Sequence, residues 1–328
     1  MKKLFGKILS VLTAAVFALS LAACGEKRTT VGVYMPDGAP AVALSAFMAN
    51  GYENTEFTVV ASSAINGVVS GGSADMAIMP INAAAKMYND GEDIVMLSVN
   101  THGNLYIVGD GTTIALSDLV GKRLGVIGMG NIPDQVLRML LDGTGIEYEI
   151  SDTAVAGKVA LRYAADGGKL LPLLGAGEVD YALLAEPAAT TAVNKLKKSI
   201  VLDMQAAWKN EFGFEYPQAC LVARGEFVDD NKAYVDKFLD DLKARDDYAV
   251  REPEKAFEAI KSHMADGTQT SLTVLNAGIA ERCNIRTDFA DDAKINCNQY
   301  FALLIKLQSG TGATALEKIP DDGFYYGK

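Results

Sequence analysis

The sequence holds little of what most metal and nucleophilic chemistry needs. There are two histidines, His102 and His263, and four cysteines in 328 residues. No Cys/His cluster has the spacing of zinc ligands, so no metal is expected, and no cofactor is assigned. Four cysteines are also too few for a disulfide scaffold. No Ser-His-Asp order and no carboxylate pair at general acid/base spacing stands out. Positive charge is scarce, with 30 Lys and Arg against 41 Asp and Glu. Such a chain lacks the clustered cations that follow phosphates, which excludes nucleic acid as an expected partner. Beyond the first two dozen residues, no run approaches the eighteen consecutive apolar residues of a membrane span. What is plentiful is apolar material, 49% of the chain, enough for a packed core and too much for intrinsic disorder. At roughly 100–200 residues per domain, the length suggests two domains.

The first residues read as an address. Lys2, Lys3 and Lys7 precede an apolar stretch from Ile8 to Leu19, followed by Leu21-Ala22-Ala23-Cys24. Small residues before a cleavage point mark a secretory signal. The Leu-Ala-Ala-Cys ending resembles the bacterial lipobox, in which the cysteine is acylated and becomes the new N-terminus. We therefore expect a signal peptide over residues 1–23, lipidation at Cys24, a tether over 24–30, and an extracytoplasmic protein anchored to the cell membrane by lipid. Cleavage removes three lysines and no acids, so the remaining chain is more acidic still. Of the other thiols, Cys283 and Cys297 could pair or stay free.

From Val31 onward short apolar runs alternate with helical patterns. Strands are predicted over 31–35, 57–61, 76–79 and 94–99, with helices between them. The pattern restarts with strands over 123–127, 158–163 and 181–184, separated by helices over 133–141 and 168–174. Alternation of this kind predicts parallel sheets built from βαβ units. The tail beyond Val222 reads as mostly helical: Tyr234, Val235, Phe238, Leu239 and Leu242 share one face of 232–242, Pro253 opens a helix with Phe257 and Ile260 inward, and helices over 271–280 and 293–307 follow. Its helices are expected to cover the first lobe, whose own helices are too few for both faces of a sheet.

Three blocks of sequence have a familiar order. Ser117-Asp118-Leu119-Val120-Gly121-Lys122-Arg123-Leu124-Gly125-Val126 resembles the entry into the second lobe of extracytoplasmic solute-binding proteins of ABC importers. Gly177-Glu178-Val179-Asp180-Tyr181-Ala182, followed by Glu186-Pro187-Ala188, is similar to a second block of that family, and Ser73-Ala74-Asp75-Met76-Ala77 occupies the matching place in the first lobe. The nearest group takes in binders of nitrate, sulfonate, taurine and thiamine-pyrimidine precursors. The resemblance implies an α/β type II periplasmic-binding fold: two Rossmann-like lobes with mostly parallel sheets, a two-segment hinge and a ligand in the cleft. Lobe one is expected over 31–110 plus 222–328, and lobe two over 111–221. It also implies a small-molecule ligand, a monomer, and as partners a membrane permease and its ATPase. A lyase on the same fold, similar to chorismate dehydratase, and a ligand-sensing surface module are the alternatives.

In open α/β sheets, ligands bind beyond the carboxyl ends of strands, where helix N-termini offer free N–H groups. The turns at those positions supply the candidates: Asp37, Gly38, Ala39 and Pro40 after the first strand, Ser62 and Ser63 after the second, and Asn82 after the third. In the second lobe they are Gly130 and Asn131, then Arg162 near a strand end, then Glu186 and Pro187. His102 and Asn104 lie near the first crossover between lobes. Trp208 and Tyr216 could stack on a planar ligand or pack in the core. The Asp37-Gly38-Ala39-Pro40 turn departs from the aromatic or glycine-rich loops of sulfonate and nitrate binders. With Asp37 and Glu186 facing one main cation, Arg162, a neutral or weakly basic ring is the expected ligand.

Overall fold

The computed structural model describes residues 30–328 apart from 166, 269, 271, 273–274 and 309–314. The expected leader, Cys24 and most of the tether lie outside the described residues, as does Ser271 at the start of one predicted helix.

The strands are Val31–Pro36 (β1), Thr55–Val60 (β2), Met76–Pro80 (β3), Ile94–His102 (β4), Leu105–Gly109 (β5), Arg123–Ile127 (β6), Tyr148–Ile150 (β7), Val159–Ala164 (β8), Tyr181–Ala185 (β9), Ser199–Asp203 (β10), Pro217–Arg224 (β11) and Ile285–Phe289 (β12). Among the described residues they form two six-stranded sheets, ordered β12-β4-β11-β3-β1-β2 and β10-β5-β9-β6-β8-β7. Helices cover both faces, giving two α/β lobes. Each sheet is mixed. β1 runs parallel to β3, and β9, β6, β8 and β7 form a parallel set. β11 is antiparallel to β3 and β4, β12 to β4, and β5 to both β9 and β10. Apart from the three-residue β7, the parallel sets are the βαβ units legible in the sequence. Most of the antiparallel strands adjoin the passages between the sheets, where no crossover helix announces them.

Those passages fall elsewhere than expected. The first lies at Gly103 and Asn104, so β5 already belongs to the second sheet although its residues precede the expected boundary at 110. The return precedes β11, so residues 217–221 belong to the first sheet. The stretch Ile94–Gly109 is nearly continuous in apolar character, and composition does not mark where such a run changes partners.

The tail does return to the first lobe. Phe238 of helix Lys232–Lys243 packs edge-on against Phe47 of helix Ser45–Asn50, with ring centroids 4.8 Å apart. It is not wholly helical, because β12 adds an edge strand beside β4. In the second lobe, Leu170, Leu174, Ala189 and Ala192 from two helices pack on Val108, Ala182 and Leu184 of the sheet. Cys220, Cys283 and Cys297 are free and buried. Among the described residues no helix is long and apolar enough to cross a membrane.

Trp208 settles into the core. It is fully buried on helix Met204–Phe212 and packs against Phe212, Tyr216 and Tyr300 at centroid distances of 4.4, 5.1 and 6.0 Å. Tyr300 lies on helix Ala290–Gln308, so this aromatic cluster joins material of both lobes. Tyr216 is equally buried, and its phenol ring lies where a side chain on Gly103 would point. The residue at the crossing is therefore glycine for reasons of space. Gly103→Ala is expected to cost about 1–3 kcal/mol by overpacking. Gly67→Ala, on the exposed side of helix Ile65–Ser70 with open space around it, should instead add about 0.5–1 kcal/mol. Denaturant melts of the two variants test the contrast.

Candidate functional site

The carboxyl ends of strands from both sheets meet. Asn82 follows β3 in the first lobe, in the first turn of helix Ile81–Asn89. Its Nδ2 donates to Oε1 of Gln135 in the second lobe at 3.0 Å, while its Oδ1 accepts from the Ala83 N–H at 2.9 Å. Asn82 therefore serves its own helix and the other lobe at once.

Gln135 lies in helix Ile132–Gly143, which begins just after the turn 128–131 that follows β6. Its Nε2 donates to the Gly130 carbonyl at 2.7 Å. The Gly130 N–H in turn donates to Oδ2 of Asp134 at 2.8 Å. Both backbone groups of Gly130 are thus held by side chains from the first turn of the following helix. Gly130 sits at φ +79°, where a side chain would be strained. Asp134 is fully buried and also accepts from the Tyr163 hydroxyl at 2.5 Å. Burial, reinforced by that carboxylate, pushes the Tyr163 phenol up, so the hydroxyl stays protonated and donating. Asn131, at the helix N-cap position, is exposed and makes no capping bond with its side chain. The free N–H groups of this helix end add partial positive charge at the same place.

On the first-lobe side, Gly38 precedes the short helix Ala39–Ala43, with Ala39 buried and Pro40 half-buried at its start. Asp37 is half-buried, and its Oδ1 accepts from Thr270 Oγ1 at 2.8 Å. Ser62 and Ser63 are exposed on the turn after β2. Neither caps the next helix, whose N-cap position is taken by Ala64 with no side-chain bond.

Glu186, after β9, has a side chain shut off from solvent. Thr190, one helical turn on, supplies its hydroxyl to Oε1 at 2.7 Å and its N–H to Oε2 at 3.1 Å. Arg282, from helix Ala277–Arg282, donates from Nε to Oε1 at 2.5 Å and from Nη2 to Thr190 Oγ1 at 2.6 Å. A carboxylate so enclosed needs these partners, since removing one leaves an uncompensated buried charge costing about 3–5 kcal/mol. Pro187, buried, accepts from Thr191 through its carbonyl.

These contacts correct several expectations. Arg162 is not a free cation: its guanidinium pairs within its own lobe with Asp152 at 3.3 Å and Glu178 at 2.8 Å. Trp208 and Tyr216 are core residues, as their burial shows. His102 and Asn104 are buried in the crossing. The Asn104 N–H donates to Gln218 Oε1 at 3.1 Å, and its carbonyl accepts from the Glu186 N–H at 3.1 Å. Arg282, Gln135, Asp134 and Thr190 went unnoticed in the sequence, although Glu186 and Thr190 stand at an i, i+4 spacing that signals a shared helix face. Pairing of Glu186 with Arg282 also removes one of the two acids behind the expected weakly basic ligand. Among the described residues no group of three or more His, Cys, Asp or Glu could hold a metal ion.

A family profile described as NMT1/THI5 like matches residues 57–256, more than half of the chain. No curated protein matches the chain in sequence. Solved structures match it in fold. A crystal structure from Parabacteroides distasonis, described as an ABC transporter, is 24% identical, aligns over 92% of this chain and 99% of its own, and gives a TM-score of 0.72. The periplasmic aliphatic sulphonate binding protein SsuA of Escherichia coli is 13% identical over 87% of this chain and 94% of its own, with a TM-score of 0.63. The alkanesulfonate-binding protein SsuA of Xanthomonas axonopodis pv. citri, bound to MOPS, is 12% identical over 89% and 97%, with a TM-score of 0.60. These likenesses show the type II periplasmic-binding fold.

Burial holds the His102 imidazole below its ordinary range, with Arg286 adding to the effect and Asp288, 3.3 Å away, opposing it. The unfolded ring takes a proton near pH 6.5. As pH falls through that value, the unfolded chain gains a proton the folded ring refuses, so stability declines, and the loss is complete once pH passes the folded value. With two histidines present, proton NMR of wild type and of His263→Gln identifies the His102 signal. It should titrate below pH 6.5, and titration at or above that value would contradict the burial argument.

Proposed function

The chain belongs to the NMT1/THI5-like family, and on that footing we propose that it is the solute-binding component of an ATP-driven importer. It captures a small organic solute between its lobes and delivers it to a membrane permease served by an ATPase. The observation that carries this reading is the meeting of strand ends from two separate sheets, with Asn82 bonded to Gln135 across them. A ligand placed there touches both lobes, and contacts to both favour the closed form over the open one. The fold neighbours described as an ABC transporter and as sulphonate-binding proteins support the same reading. The protein acts by binding rather than by catalysis, works as a monomer, and stays near its permease through lipid on Cys24. Its solute contacts are Asp37 and the Gly38–Pro40 turn on one side and Gly130 and Asn131 on the other, with Asn82 at the floor.

Mass spectrometry of small molecules released on denaturing the purified protein tests the reading. A released solute should rebind one to one and raise the melting temperature. Asp37→Ala and Asn131→Ala should each weaken its binding about tenfold or more, about 1.4 kcal/mol. Conversion of the bound molecule into a product would move the protein to the enzymes. For the anchor, Cys24→Ser should abolish incorporation of radiolabelled palmitate and release the protein from membranes; a labelled, membrane-bound variant would rule out Cys24 as the lipid site.

A further inference from the structure

We propose that Glu186, Thr190 and Arg282 form a latch that holds the two lobes together in the absence of solute. This deepens the binding reading, since it assumes that the lobes open and close. Glu186 and Thr190 belong to the second lobe, at the end of β9 and in helix Ala188–Leu196. Arg282 ends helix Ala277–Arg282, three residues before β12, the edge strand of the first sheet. Its guanidinium bonds to both Glu186 and Thr190, and its backbone carbonyl accepts from the Tyr106 hydroxyl of β5 at 3.1 Å. One residue of the first lobe thus makes three bonds to the second.

The two ends of the pair differ in a way that suits a latch. The Glu186 side chain is fully buried, while the Arg282 side chain is 35% exposed. Pulling the lobes apart moves Arg282 toward water, which solvates it, but leaves Glu186 with Thr190 alone. Opening therefore carries the cost of a half-satisfied buried carboxylate, and closure recovers it. Another polar tie between the lobes, Asn82 to Gln135, joins neutral amides and strands no buried charge when it parts. A solute that binds the closed form adds its own contacts to an equilibrium the ion pair already biases.

The latch is tested on the full-length protein in detergent without added solute, by pulsed electron paramagnetic resonance between spin labels on Ser62→Cys and Met129→Cys. Both positions are exposed and lie on opposite lobes, and the native thiols at 220, 283 and 297 are buried. Wild type should give mainly the short, closed distance. Glu186→Gln, which keeps the shape but not the charge, and Arg282→Gln should each raise the ratio of long to short distances about tenfold. Arg282→Lys should restore part of the short population. Circular dichroism establishes that each variant folds; if Arg282→Gln does not, Glu186→Gln and Arg282→Lys decide the matter. Unchanged distances in folded variants, or a change in only one partner's variant, would overturn the latch. A protein that releases and binds no small molecule would overturn the transport reading instead, and would leave the distance result standing.

Discussion

The structure depends on a buried crossing. Between β4 and β5 the backbone passes from one sheet to the other at Gly103 and Asn104, and a buried backbone cannot borrow partners from water. Each unmet N–H or carbonyl there would cost about 1–3 kcal/mol. The partners come from widely separated parts of the chain. Asn284 accepts from the His102 N–H and donates from its side chain to the Gly103 carbonyl. Gln218 takes the Asn104 N–H, and the Glu186 N–H meets the Asn104 carbonyl. The His102 ring is hemmed in by Arg286 and Asp288. Meeting these backbone groups therefore ties together the start of β11, the end of β9 and the entry to β12.

That stitching also sets where the candidate site lies. The bond between Asn104 and Glu186 fixes the end of β9 beside the crossing, which brings Glu186 within reach of Arg282. Trp208, Tyr216 and Tyr300 close the other side of the junction, each ring contact adding about 0.5–1.5 kcal/mol beyond simple burial. With the junction held on that side, the ends of β3 and β6 are brought together, where Asn82 bonds to Gln135. The second-lobe turn there is held by a buried carboxylate, Asp134, and by an amide, Gln135, which also touches the other lobe.

Much of the fold was legible. β6 has the bounds its apolar run predicted, and the helices Pro253–Ser262 and Lys232–Lys243 follow from their apolar faces. Of the strands that went unread, β7 has only three residues, β10 and β12 are edge strands, and β5 and β11 flank the exchanges between sheets, where no crossover helix gives the rhythm of a βαβ unit. The site was partly legible: the turns at Asp37, Asn82, Gly130 and Glu186 do follow strands. Which of them face a partner, and which partner, was not. Arg162 and Arg282 are the same residue type in unremarkable contexts, yet one is held by Asp152 and Glu178 within its own lobe and the other reaches Glu186 from the other lobe.

By itself the sequence determined the class of the protein: two α/β lobes, an excess of acid, and an order of motifs that resembles its family's. Those are properties of local pattern, since periodicity, turn residues and composition act over a few positions at a time. Only the tertiary structure decided where the chain changes sheets, that Trp208 and Tyr216 are core, that Glu186 is satisfied from within, and that Arg282 supplies the charge. These outcomes rest on contacts between residues as much as 184 positions apart, such as His102 and Arg286. Burial and pairing at that range are consequences of packing, and no window along the chain contains them.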